Sequence, residues 1–169
     1  SPTPPPLTPS VRSLAVYNAT LYAGTFPNTM PNTTADDNPM IMKFDGTAWQ
    51  IVREFLPAEG MGPINSMVAY GGALYVASGR VFQYNGGVTW VDIGKPGNAG
   101  QVYALTIFNN QLYAGTSGNP SGSGGRVYRY NGNAIWSDMG ELGVISGQDG
   151  YGFVSALVVD NNQLCAALN

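Results

Sequence analysis

A chain of 169 residues is long enough to enclose one apolar core, and 44% of it is hydrophobic, but only 10% is charged. A net charge of −3 with two lysines, Lys43 and Lys95, builds no basic face for nucleic acid, and the absence of histidine removes the commonest general base and metal ligand. The single cysteine, Cys165, excludes an internal disulfide, and no apolar run reaches the length of a helical membrane span; no nucleic acid, membrane insertion or cofactor is therefore expected.

The chain opens with SPTPPPLTPS, residues 1–10, which is not a signal peptide and reads as an extended, solvated Pro-rich linker. It is either a disordered tail or a spacer from a multidomain surface protein, open to O-glycosylation. Beyond it, 23 glycines and the Asn-Gly and Asp-Gly pairs suit many short strands joined by tight turns. No window carries a 3.6-residue apolar period.

Four segments then align without gaps: VRSLAVYNATLYAGT from Val11, INSMVAYGGALYVAS from Ile64, VYALTIFNNQLYAGT from Val102 and VSALVVDNNQLCAAL from Val154. Leu14, Met67, Leu105 and Leu157 share one column, and Tyr22, Tyr75, Tyr113 and Cys165 share another at the same separations. Three second halves follow: IMKFDGTAWQIV from Ile41, RVFQYNGGVTWVDIG from Arg80 and RVYRYNGNAIWSDMG from Arg126. Each is an alternating strand, an Asp-Gly or Asn-Gly turn, and a tryptophan: Trp49, Trp90 or Trp136. A complete unit is four short antiparallel strands, A to D, which in the first copy cover residues 11–17, 21–25, 41–44 and 49–52. Such a sheet has two apolar faces and buries them only by stacking against its neighbours. The prediction is an all-β fold, a β-propeller of four-stranded antiparallel blades. Blades are expected over 11–53, 64–94 and 102–140, with a half blade over 154–169, so that 11–169 form a partial propeller.

The L-Y-A-G-T motif followed by G-R-V-Y-R-Y-N-G and a tryptophan resembles the propeller repeats that include kelch and galactose-oxidase-like blades, and those of bacterial sensor proteins. The stretch from Gln83 to Trp90 resembles a degenerate Asp-box of sialidase-type propellers, with Gln83 in place of its Ser and Asn85 in place of its Asp. In that family the box is a structural turn. The resemblance implies architecture, not activity.

Loop length points to the site. The A–B turns, read as Asn18-Ala19-Thr20, Gly71-Gly72-Ala73, Asn110-Gln111 and Asn162-Gln163, are short, as are the C–D turns. Length varies only in B–C and D–A connections, such as 26–40, 54–63, 117–125 and 141–153, which leave an up-and-down blade on one face. Variable loops on a rigid scaffold commonly carry binding. Within or beside them Asp36, Asp37, Tyr103, Asp149 and Tyr151 are the candidate ligand-binding residues, although Tyr103, on strand A, equally suits the lining of a central channel. The three tryptophans are read as packing between blades, and Cys165 as a small buried hydrophobe. The Asp36-Asp37 pair lacks EF-hand spacing and is read as an exposed acidic loop, so no metal site is assigned. Asn18 and Asn32 head N-glycosylation triplets in predicted turns or loops and favour a secreted setting.

No catalytic residue is expected. Copper-radical chemistry of the galactose-oxidase kind needs histidines, and the arginines that sialidase chemistry would gather, Arg80 and Arg126, occupy equivalent places on separate blades. The expectation is a secreted or cell-surface, non-enzymatic binding or adhesion module for glycan or protein. The alternative is a structural subunit of an extracellular assembly or filament completed by a neighbour's strands; a fragment of a propeller enzyme ranks last. The fourth repeat stops after strand B, so the remaining blades are expected from a longer chain or another subunit. A two-copy seven-bladed ring is disfavoured because neither copy holds a spare C–D pair.

Overall fold

A computed structural model of the chain describes residues 10–26, 38–118, 124–142 and 152–169. Strands β1 (Ser10–Tyr17), β2 (Thr20–Phe26), β3 (Met40–Phe44) and β4 (Trp49–Glu54) form one antiparallel sheet in chain order. Strands β5 (Ser66–Tyr70), β6 (Ala73–Ala77), β7 (Val81–Tyr84) and β8 (Trp90–Asp92) repeat it. So do β9 (Val102–Phe108), β10 (Gln111–Thr116), β11 (Arg126–Tyr130) and β12 (Trp136–Glu141). Strands β13 (Val154–Asp160) and β14 (Gln163–Leu168) form a two-stranded sheet equivalent to an A–B hairpin. Each sheet is a blade, and strands β1, β5, β9 and β13 neighbour one another along the inner side.

Two local differences from the sequence reading have simple causes. Ser10, expected in the linker, pairs with Phe26 and begins β1; residues 1–9 lie outside the described residues. The A–B turns are two-residue turns with both residues at positive φ: Asn18-Ala19, Gly71-Gly72, Asn109-Asn110 and Asn161-Asn162. In the last two copies the turn thus sits one residue earlier than expected, since the right-handed twist of the strands selects a pair of left-handed residues and Asn tolerates them.

The L-Y-A-G-T motif is a recipe for stacking blades. In β2, Leu21 faces one side, while Tyr22 and Gly24 face blade 2. A Cβ on Gly24 would lie 2.3 Å from Ile64 Cγ2, and one on Gly115 would lie 2.5 Å from Val154 Cγ1. Glycine lets the first residue of the next blade press against the sheet. Ala77 holds the same column in blade 2 and is buried in one cluster with Val102. The backbone joins here too: Ile64 N–H donates to Thr25 O (3.0 Å) and Val102 N–H to Ser78 O (2.7 Å).

Three apolar layers result. Tyr17, Tyr22 and Ile41 of blade 1 meet Met67, Leu74, Val76, Phe82 and Tyr84 of blade 2. Tyr75, Ala77 and Val81 meet Leu105, Leu112 and Ala114, and Tyr113 and Val127 meet Val154, with Leu157 and Leu164 packed alongside. Among the described residues the two end faces have no such cover. Leu14 is 58% exposed, whereas Met67 and Leu105 in its column are 8% and 7% exposed.

The tryptophans divide in the same way. Trp90 packs edge-on against Phe55 of the preceding segment, with centroids 5.8 Å apart, and Trp136 Nε1–H donates to Ile93 O at 2.8 Å. Trp49 contacts only Phe44 of its own blade among the described aromatic pairs and is 41% exposed, so packing between blades does not hold for it. Cys165, expected buried, is exposed. Its column faces the next blade at the junctions above, and among the described residues no strand packs on that side of β14.

Candidate functional site

Up-and-down blades place the B–C and D–A connections at one end and all four A–B turns at the other. Of the candidate residues, Asp36, Asp37, Asp149 and Tyr151, with Asn32 of the glycosylation pair, lie outside the described residues. Tyr103, at the start of β9, is half-buried and stacked on Phe153, with ring centroids 4.3 Å apart and planes at 27°. One of its flat faces is therefore occupied by the protein. Asn18 is exposed in the first A–B turn, at the end opposite the variable loops.

The described part of the loop end is polar and largely self-satisfied. Asn65 Nδ2 donates to Val102 O at 3.0 Å, Gly62 N–H to Ser78 Oγ at 2.8 Å, and Gln101 N–H to Ser117 Oγ at 3.1 Å. Buried Asn38 donates from Nδ2 to Glu54 Oε1 at 2.7 Å. Short side chains here fasten the connections to the strand ends and leave a floor of backbone and amide groups.

Toward the rim of the blades, one device occurs twice. Arg80 Nε donates to Asp92 Oδ2 (2.8 Å) while Gly94 N–H donates to Asp92 Oδ1 (2.8 Å). Arg126 Nε and Gly140 N–H hold Asp138 in the same way, at 2.9 and 2.8 Å. Each arginine thus clamps the third strand of its blade to the fourth. Burial alone would raise the Asp138 carboxyl, but the Arg126 hydrogen bond, the Gly140 N–H and the Arg126 charge outweigh it and hold it below the ordinary range. These arginines serve their own blades rather than converging on one pocket. Blade 1 puts Met40 and Ile51 in those positions; instead its Arg53 pairs with Glu59 and lies over the rings of Phe55 and Trp90, 4.6 and 5.4 Å from the centroids.

At the opposite end, blade 1 carries an open cleft of about 510 Å³ lined by Ala19, Thr20, Leu21, Lys43, Phe44, Asp45 and Gly46. Sequence reasoning missed it because it looked for the site among long loops. Asp45 shapes its rim: N–H groups of Ala48 and Thr47 bind its Oδ1 and hold the carboxyl below the ordinary range. Among the described residues no group of three or more His, Cys, Asp or Glu could hold a metal ion.

No protein-family model matches the sequence, and no curated protein does. Solved structures are similar in fold. The extracellular domain assigned to a hybrid two-component system of B. thetaiotaomicron aligns at a TM-score of 0.62 with 16% identity, covering 94% of this chain and 20% of that one. A chain of the nidogen/laminin complex gives a TM-score of 0.63 and 12% identity over 94% of this chain and 56% of that one. An α-L-arabinofuranosidase of Clostridium thermocellum gives 0.56 and 15% over 95% and 67%. The chain thus spans a fifth of the first structure and little more than half of the second. At these identities the likeness is one of architecture: this is an all-β chain of propeller blades, arranged as an open, partial propeller.

Proposed function

We propose that the chain is a secreted or cell-surface, non-enzymatic module that recognises a glycan or protein through the end bearing its B–C and D–A connections. The observation that carries this reading is the asymmetry of the blades. All four A–B connections are two-residue turns and the C–D turns, 45–48, 85–89 and 131–135, stay within one residue of each other, while the B–C and D–A connections, which differ far more, leave the other end. A rigid stack with one trimmed and one decorated end is built as a platform for loops. Supporting this, two of the similar structures are described as an extracellular domain and as a nidogen/laminin complex. The arabinofuranosidase keeps a propeller enzyme as the weaker reading, since a shared scaffold does not carry chemistry with it. A glycan array and a surface-protein panel test the proposal, run beside a variant with Asp36, Asp37, Asp149 and Tyr151 changed to alanine. Saturable binding lost in the variant supports it; binding unchanged by the variant, or none at all, overturns it.

A second reading, a structural subunit of an extracellular assembly, is favoured by the uncovered apolar end faces. Leu14, Val16, Trp49 and Ile51 are exposed on the first blade, and Val158 on the last hairpin. Electron microscopy showing filaments or rings supports this reading, and discrete single particles count against it.

A further inference from the structure

The cleft on blade 1 has two occupied counterparts inside the chain. At the first blade junction Tyr17, the last residue of β1, enters the notch of blade 2 between its A–B and C–D turns. Its hydroxyl donates to Gly72 O at 2.9 Å and lies 3.9 Å from where a Cβ of Gly86 would stand. Its ring packs against Tyr22 and Tyr84, with centroids 5.9 and 6.1 Å away. At the second junction Tyr70, in the same column, donates to Asn110 O at 2.5 Å. By repeat position, Gly72 and Asn110 correspond to Ala19, Leu74 and Leu112 to Leu21, Tyr84 and Tyr130 to Phe44, and Gly86 and Gly132 to Gly46. All four blade 1 residues line the open cleft.

We infer that this cleft is a socket for the tyrosine that ends the first strand of an incoming β-hairpin, its hydroxyl donating to the Ala19 carbonyl and its ring lying between Leu21 and Phe44. The occupant is a partner hairpin of that chemistry, with a second aromatic five positions later, as in the pairs Tyr17 and Tyr22 or Tyr70 and Tyr75. The described residues of a second copy do not supply it. Tyr17 and Tyr70 are already engaged, Tyr113 and Phe108 are packed in the third layer, and the β13–β14 hairpin offers Asp160 and Cys165 in those two columns, neither of which can fill an aromatic notch. The socket is independent of whatever the loop end binds.

The test uses a synthetic hairpin copying residues 66–77, closed by an added terminal disulfide and flanked by lysines, titrated into the isotope-labelled full chain. We expect saturable shifts of the Ala19–Leu21 and Lys43–Gly46 amides. Tyr70→Phe in the hairpin binds about fivefold more weakly for loss of one hydrogen bond, and Tyr70→Asp, which mimics the terminal hairpin, does not bind. Leu21→Lys in the chain abolishes the shifts while amides of β9–β12 keep their positions. The proposal is overturned by shifts centred elsewhere, by no saturable shift, or by equal affinity of the three hairpins. A concentration-dependent dimer of the chain alone that buries the Ala19 turn overturns it too, because the occupant would then be a second copy.

Discussion

The hydroxyl of Tyr17 donates to the carbonyl of Gly72, 2.9 Å away and 55 positions along the chain. Tyr17 is buried, so the bond also satisfies a group that would otherwise be cut off from water. It fixes how far blade 1 can slide on blade 2, because the acceptor is a rigid two-residue turn. Tyr17→Phe keeps the ring and its aromatic neighbours and removes only the donor. We expect a loss of about 1 kcal/mol, read as a lower urea midpoint at unchanged slope. A change in the slope instead would mean that the blades had parted.

Gly24 and Ile64 form a matched pair across the same junction. Alanine at position 24 drives a Cβ into Ile64 Cγ2, and overpacking of this kind costs about 1–3 kcal/mol. Blade 2 solves the same contact with Ala77 against Val102. Ile64→Ala removes the Cγ2 that the new Cβ would strike, so together with Gly24→Ala it is expected to cost less than the sum of the two, although alone it costs about 2–5 kcal/mol. A double-mutant cycle on denaturation midpoints checks this, and simple additivity would refute it.

Trp90 and Trp49 occupy one column with unlike surroundings. Trp90 stacks on Tyr84 with centroids 4.5 Å apart and meets Phe55, whereas among the described aromatic pairs Trp49 has only Phe44. Trp90→Ala should cost about 2–4 kcal/mol and Trp49→Ala less than about 1. Thermal melts of the two variants side by side decide the matter. Similar losses would show that a covering partner is already present on blade 1 in solution.

The Arg126–Asp138 clamp predicts an acid-sensitive contribution to stability. The folded carboxyl titrates below its unfolded value, so the folded state binds fewer protons in that interval. Its stabilisation is complete above the ordinary carboxylate value of about 4 and is lost as pH falls through the lower folded value. Asp138→Asn should flatten this part of a stability profile measured by urea denaturation toward low pH. An unchanged profile would place the acid sensitivity in other carboxylates.

Fold class and blade order were legible in the sequence because a propeller blade is locally encoded. Period-two alternation, Asn-Gly and Asn-Asn turns and the recurring L-Y-A-G-T motif each act within a few residues. The column Tyr17, Tyr70, Phe108 and Asp160 is also present in the sequence, but nothing local in it says that its tyrosines enter the turn of the next blade. Two things were decided by tertiary structure alone. Whether Trp49, Leu14 and Cys165 are buried depends on the blade beyond them, since burial belongs to a pair of faces while residue type belongs to one. Which notch stands open depends on how the stack of blades begins: identical columns pack identically wherever a neighbour exists, and the first blade has none before it among the described residues.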